Sequence, residues 1–140
     1  EAREAYQLLV DAGAADALVL NNFAFMLVAN LDDPMAGLEM ARLAVARMPD
    51  NAKVLDTLGL AELKANMVDD AITTLETSVQ RQSLAINNLH LGMAYRQVGR
   101  MNDAVEAFNR ASEIGKDAEP SEAEAAERAA ELLQETLTTS

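Results

Sequence analysis

Residues 85–117 read AINNLHLGMAYRQVGRMNDAVEAFNRASEIGKD, and they align without a gap on residues 52–84, AKVLDTLGLAELKANMVDDAITTLETSVQRQSL. The register pairs Leu58 with Leu91, Gly59 with Gly92, Ala61 with Ala94, Val68 with Met101, Ala71 with Ala104, Leu75 with Phe108 and Ser78 with Ala111. Self-similarity at this period marks a solenoid, because one helix pair cannot bury its own apolar face and must stack on a copy.

Each copy predicts two helices. Leu55, Leu58, Gly59 and Leu63 recur at helical spacing, Asn66-Met67 breaks the pattern, and Val68, Ala71, Ile72, Leu75 and Val79 resume it. The next copy repeats this with Leu91, Gly92 and Tyr95, a break at Gly99, then Met101, Ala104, Val105, Phe108 and Ala111. Gly99 suits the left-handed end of a helix, and Asp69 and Asn102 are expected to cap the helices that follow. An interior glycine costs a helix about 1 kcal/mol. Gly59 and Gly92 are therefore read as points where helices approach too closely for a side chain.

Leu91-Gly92, Tyr95, Gly99, Ala104, Phe108 and Ala111 stand in the register of the tetratricopeptide repeat, bacterial type, which the chain resembles. Residues 52–84 keep Leu58-Gly59, Ala71 and Leu75, but carry Glu62 at the Tyr position and Asn66 at the Gly position. The resemblance implies an all-α fold, a right-handed α-solenoid of antiparallel helix pairs (a TPR superhelix) with about eight helices.

Working outward, Asn21 to Leu27, Asp33-Pro34 and Pro49-Asp50-Asn51 read as another copy, 17–51, with an extra residue near Leu31. Asp33 before Pro34 is a helix start. Residues 1–16, with Ala2, Tyr6 and Leu9 as the apolar positions, read as half a repeat. At the other end, 118–140 is expected to form an acidic capping helix. Ser121 to Glu124 would be its capping box behind Pro120, with Ala126, Ala130, Leu133 and Leu137 facing inward. Glu122, Glu124, Glu127, Glu131 and Glu135 would cover its outside, as either a solvated end or a docking surface for a basic partner. The whole, 1–140, is read as a single domain. Because it begins at Glu1 without a Met, it is expected to be a segment of a longer or processed protein.

Composition agrees with helices. Of 140 residues 50% are apolar but only 4% aromatic, enough to bury a core and poor in strand formers. The net charge of −12 repels phosphate backbones and anionic lipids, so nucleic acid is not an expected partner. The longest apolar run, Phe23 to Ala29, is far too short to span a bilayer, so this segment makes no membrane insertion. Without cysteine the sequence carries no redox signal, which leaves cytoplasm and periplasm equally open.

Chemistry-bearing patterns are missing. His90 is the only histidine, and its neighbours Ile86, Asn87, Met93 and Ala94 on the same helix offer neither carboxylate nor thiolate. Asp32-Asp33 and Asp69-Asp70 sit at helix junctions, where acids complement the helix dipole. Gly115-Lys116 lacks the rest of a phosphate loop. The seven methionines read as core filler, with Met93 as a candidate exception. The sequence thus implies no enzyme, no metal and no cofactor.

In tetratricopeptide stacks the first helices line a concave groove that holds the partner. By register the resemblance assigns that groove to Asn21, Asn22 and Phe25, with Val28, in the first copy. In the second it takes Lys53, Asp56, Thr57, Leu60 and Lys64, with Leu63. In the third it takes Leu89, His90, Met93, Arg96 and Gln97, with Ile86. Phe25, Leu60, Leu89 and Met93 would form an apolar strip flanked by polar and cationic groups, suited to an amphipathic helix or extended peptide. The alternative is that several of these side chains pack against the neighbouring repeat. A carboxylate clamp of the co-chaperone kind is not expected, since Asn21, Phe25, Thr57, Ile86 and His90 at its positions supply no fixed cation.

The function expected is a protein-protein interaction scaffold, part of a larger bacterial repeat protein, binding a protein or peptide of unknown identity. Asn21 to Ala24, Pro49 to Ala52 and Val54 to Gly59 also resemble repeat proteins of exopolysaccharide-export and exosortase systems. That resemblance implies a periplasmic or membrane-tethered full-length protein. Two alternatives stand: homo-oligomerisation through the repeat ends, or a regulatory segment of a larger enzyme. Leu60→Glu with Met93→Glu is expected to abolish capture while leaving melting nearly unchanged.

Overall fold

The computed structural model describes residues 2–139; Glu1 and Ser140 lie outside the described residues. Among these residues the chain forms eight α-helices and no strand. They are α1 (Ala2–Asp11), α2 (Ala17–Ala29), α3 (Pro34–Arg47), α4 (Ala52–Lys64), α5 (Val68–Arg81), α6 (Ala85–Gln97), α7 (Met101–Ile114) and α8 (Pro120–Thr139), with a short 3-10 turn, Gly115–Asp117, before the last. Short connections fold them into the antiparallel pairs α2/α3, α4/α5 and α6/α7. The first helices α2, α4, α6 and α8 stack on one another. The result is an all-α helical solenoid.

Local chemistry accounts for most helix ends. Asp16, Asp33 and Asn51 cap α2, α3 and α4 by accepting from Val19, Ala36 and Val54 amides at 2.9, 3.2 and 3.1 Å. The helices α5 and α7 have no side-chain cap, which corrects the expectation for Asp69 and Asn102. They begin at Val68 and Met101, so those two residues lie inside the first turn. There Asp69 and Asp70 complement the helix dipole. The ends of α4 and α6 are Schellman turns. Asn66 donates to Leu63 O and Met67 to Glu62 O, just as Gly99 donates to Arg96 O and Arg100 to Tyr95 O. Asn66 takes φ +64° and Gly99 φ +81°, so the asparagine fills the glycine position in the one conformation that asparagine tolerates better than other side chains.

Packing explains the interior glycines. A Cβ on Gly59 would fall 2.4 Å from Leu75 Cγ, and one on Gly92 would fall 2.5 Å from Phe108 Cε1. Each pair therefore closes by setting a large residue of its second helix onto a bare backbone of its first. Leu20, Phe23, Leu27, Met40 and Val54 form the core at the α2 end, and Leu75, Leu91, Tyr95, Phe108 and Leu132 form it at the α8 end. A smaller group of Val28, Leu38, Leu60 and Ala61 lies between them.

Both terminal helices depart from the sequence expectation. In α1, Tyr6 and Val10 face the core, Tyr6 stacking on Phe23 with centroids 5.2 Å apart, whereas Leu9 is exposed. In α8 the buried stripe is Ala125, Ala126, Ala129, Leu132 and Thr136; Ala130 and Leu137 face water. Two apolar stripes run along this alanine-rich helix, and periodicity alone did not tell which one docks. Nor does Ser121 open it. The helix starts at Pro120, and Ala123 donates to Glu119 O at 2.9 Å.

Candidate partner-binding groove

One face of α2, α4, α6 and α8 lines a continuous trough. Its middle, about 480 Å³, lies among Phe25 and Val28 of α2, Leu60 and Lys64 of α4, Leu89, His90 and Met93 of α6, and Arg128 of α8. One end, about 380 Å³, continues over Lys64, Met93, Arg96, Gln97, Arg128 and Leu132. The other, about 390 Å³, runs over Asn21, Asn22, Phe25, Lys53, Asp56, Thr57, Ile86 and Glu122. The structure thus brings together the register positions named from the sequence and adds Arg128, Glu119 and Glu122 from the last helix region.

Those positions divide into a floor and a rim. Asp56, Thr57, Leu60, Leu89 and His90 are buried. Asn22, Phe25, Lys53, Lys64 and Gln97 are exposed, and Asn21, Met93 and Arg96 are half-buried. Leu60, 5% exposed, packs with Val28, Leu38 and Ala61. A glutamate there would strike the core, which overturns the expectation that Leu60→Glu spares melting. The usable apolar surface is therefore Phe25, 42% exposed, with Met93 and Ile86.

The floor is polar in one place that the sequence reading missed. His90 Nδ1 donates to Asp56 Oδ1 at 2.8 Å, with both side chains about 7% exposed. The helix that carries His90 offers it no carboxylate; the partner lies on α4, one repeat earlier at nearly the same register position. Spacing by about one repeat was the signal available. This bond ties α4 to α6 under the trough and spares both polar groups the cost of unpaired burial.

A second buried network braces the starts of these helices. Ser78 Oγ donates to Ala52 O at 2.6 Å, and Asn87 Nδ2 donates to Ser78 Oγ at 3.0 Å and Gln82 O at 2.8 Å. Glu122 is not on the solvated outside of α8, as the sequence suggested. Its carboxylate accepts from the free amides of Ala85 and Ile86 at 3.1 and 2.9 Å and so caps α6 from a different helix. Glu124, Glu127, Glu131 and Glu135 do face water.

Among the described residues no group of three or more His, Cys, Asp or Glu side chains is placed to hold a metal ion. Among the same residues no helix is long and apolar enough to cross a membrane. Glu62, at the Tyr position of the second copy, is 7% exposed, and its Oε1 has no hydrogen-bond partner. Burial pushes its carboxyl above the ordinary value, opposed by Thr74 and Arg42. It sits away from the trough, on the side facing α3 and α5.

No protein-family model and no curated protein matches the chain. Solved structures do. A chain of a T3SS complex from Aeromonas hydrophila aligns over 94% of this chain and 89% of its own, with TM-score 0.76 at 17% identity. MamA aligns over 98% of this chain and 85% of its own, with TM-score 0.70 at 18% identity. At that identity the likeness shows the shared fold.

Proposed function

We propose that the chain is a protein-interaction scaffold that holds a partner's peptide or helix in the trough. The observation that carries this reading is that a single open depression is lined by four stacked first helices, with Phe25 and Met93 raised from an otherwise buried floor. An open apolar strip with polar flanks suits a side-chain-studded segment better than a small molecule, which favours enclosure. The Aeromonas relative of like fold was solved as part of a complex, which fits a role in assembly. We place the repeats at 17–51, 52–84 and 85–117, with 1–16 as a half repeat and 118–140 as a cap. The matching Schellman turns at Asn66 and Gly99 support that division.

The test is selection from a displayed peptide library on the wild-type chain and on Phe25→Glu with Met93→Glu. Phe25 is exposed, and Met93 is only half-buried, touching the core from the rim, so circular dichroism should show unchanged helicity. Enriched peptides should lose binding by about tenfold or more to the variant. Retention of the same peptides by both proteins would refute the proposal.

A second reading has its own observation. The first end of the stack leaves Leu8 70%, Leu9 41% and Leu18 58% exposed, apolar surface that a second copy would cover. Light scattering over a concentration series should then show a mass that falls to the monomer's in Leu8→Glu with Leu9→Glu. A monomer at every concentration removes this reading.

A further inference from the structure

The trough changes sign along its length. Where α4 and α6 end, Lys64 and Arg96 meet Arg128 of α8 around Leu63, Met93 and Leu132. At the opposite end, where α4 and α8 begin, Asp56, Glu119 and Glu122 gather with Lys53. Acids outnumber lysine and arginine by 23 to 11 in this chain. Outside the trough Arg3, Arg81 and Arg100 reach Asp33, Asp50 and Asp103, while Arg47 and Arg110 bond the neutral oxygens of Ala15 and Asn88. Among the described residues Lys64 and Arg96 make no ion pair, and Arg128 meets only Glu131, in a pair more than half exposed on both sides. Three cations thus crowd an apolar hollow in an acidic protein, two of them uncompensated.

We propose that the segment this trough receives is acidic and amphipathic, with its apolar side on Phe25 and Met93 and its carboxylates on Lys64, Arg96 and Arg128. The inference rests on the groove reading above and specifies its partner. A neutral segment laid over Met93 would strip water from these cations and return nothing, and a basic one would be repelled. The acids of the segment belong at this end, because Asp56, Glu119 and Glu122 oppose them at the other. The apolar floor of Phe25 and Met93 calls for side chains that a nucleic-acid strand lacks.

Fluorescence anisotropy with the whole chain tests this. The probe is a labelled helical peptide of about 16 residues, leucine at every third and fourth position and glutamate between, compared with its glutamine and lysine analogues. At low salt the glutamate probe should bind about tenfold tighter than the glutamine analogue, and the advantage should shrink as salt rises. Lys64→Ala with Arg96→Ala should erase that advantage. Arg81→Ala with Lys116→Ala, which removes the same charge outside the trough, should leave affinity within about twofold. Melting temperatures within about 2 °C of wild type would show that both variants fold.

Equal binding of the glutamate and glutamine probes overturns this inference and leaves the groove reading standing. Failure of every peptide, including the glutamine analogue, overturns both. Preference for the lysine probe or for an oligothymidylate, equal losses in the two double variants, or a doubled mass that excludes the probe also overturns the acidic partner.

Discussion

The helix pairs α4/α5 and α6/α7 share one frame, yet the first carries Glu62 and Asn66 where the second carries Tyr95 and Gly99. Both close through the same contact, Gly59 under Leu75 and Gly92 under Phe108. Both end their first helix in the same pair of hydrogen bonds. They differ at the seam toward the preceding second helix. Tyr95 donates its hydroxyl to Glu76, and Arg100 lies over its ring at 4.5 Å. Glu62 instead buries a carboxylate with one oxygen unpaired. The comparison separates what the frame requires, a bare backbone under a large side chain, from what it tolerates.

Filling that bare backbone should break both pairs alike, with the largest effect. Gly59→Leu and Gly92→Leu should each cost about 3 kcal/mol or more by urea unfolding. A large loss at one site alone would mean that the two contacts are not equivalent.

The seam should respond with opposite signs. Tyr95→Phe leaves Glu76 without its donor and should destabilise by about 1 kcal/mol. Glu62→Gln removes a carboxylate whose charged form burial disfavours and should stabilise by a similar amount once pH exceeds the raised value. The pH dependence follows from linkage. With the Glu62 carboxyl raised in the folded state, the native chain holds a proton that the unfolded chain has released. Stability from this group is full below the ordinary carboxylate range and falls as pH rises through the raised value. Melting curves across that interval should slope downward with pH in the wild type and be flatter in Glu62→Gln. The Tyr95 phenol, pushed up to about 12 by burial and by Glu76, stays a donor throughout.

The smallest effects lie at the turns. Gly99→Ala should cost about 1 kcal/mol at its positive φ, whereas Asn66→Gly should stay within about 0.5 kcal/mol, since it trades relief of the left-handed strain for unfolded-state freedom. Thermal unfolding of the two variants side by side measures the contrast.

Much of this was legible in the sequence because the repeat states each position twice. Gly59 with Gly92 announced a close approach, and the structure supplied its fillers, Leu75 and Phe108. The cap at Asp33 was signalled by the proline that follows it, and the trough positions by the register that the tetratricopeptide resemblance supplies. What escaped was information carried between helices distant in the chain. His90 finds Asp56 34 residues away, and Glu122 finds Ala85 and Ile86 across 37 and 36. No helical spacing signals such pairs. At the ends, where no second copy exists, α1 and α8 each offered two apolar stripes, and only docking chose between them.

Glu122 couples the end of the molecule to its middle. It belongs to the last helix, yet it holds the first amides of α6, the helix that supplies Leu89, His90 and Met93 to the trough. Detachment of α8 therefore unlatches a helix two places back, so hydrogen exchange at Ala85 and Ile86 should report on whether the far end is docked. A segment resting on Arg128 would clamp that latch, and the same two amides should then exchange more slowly in its presence.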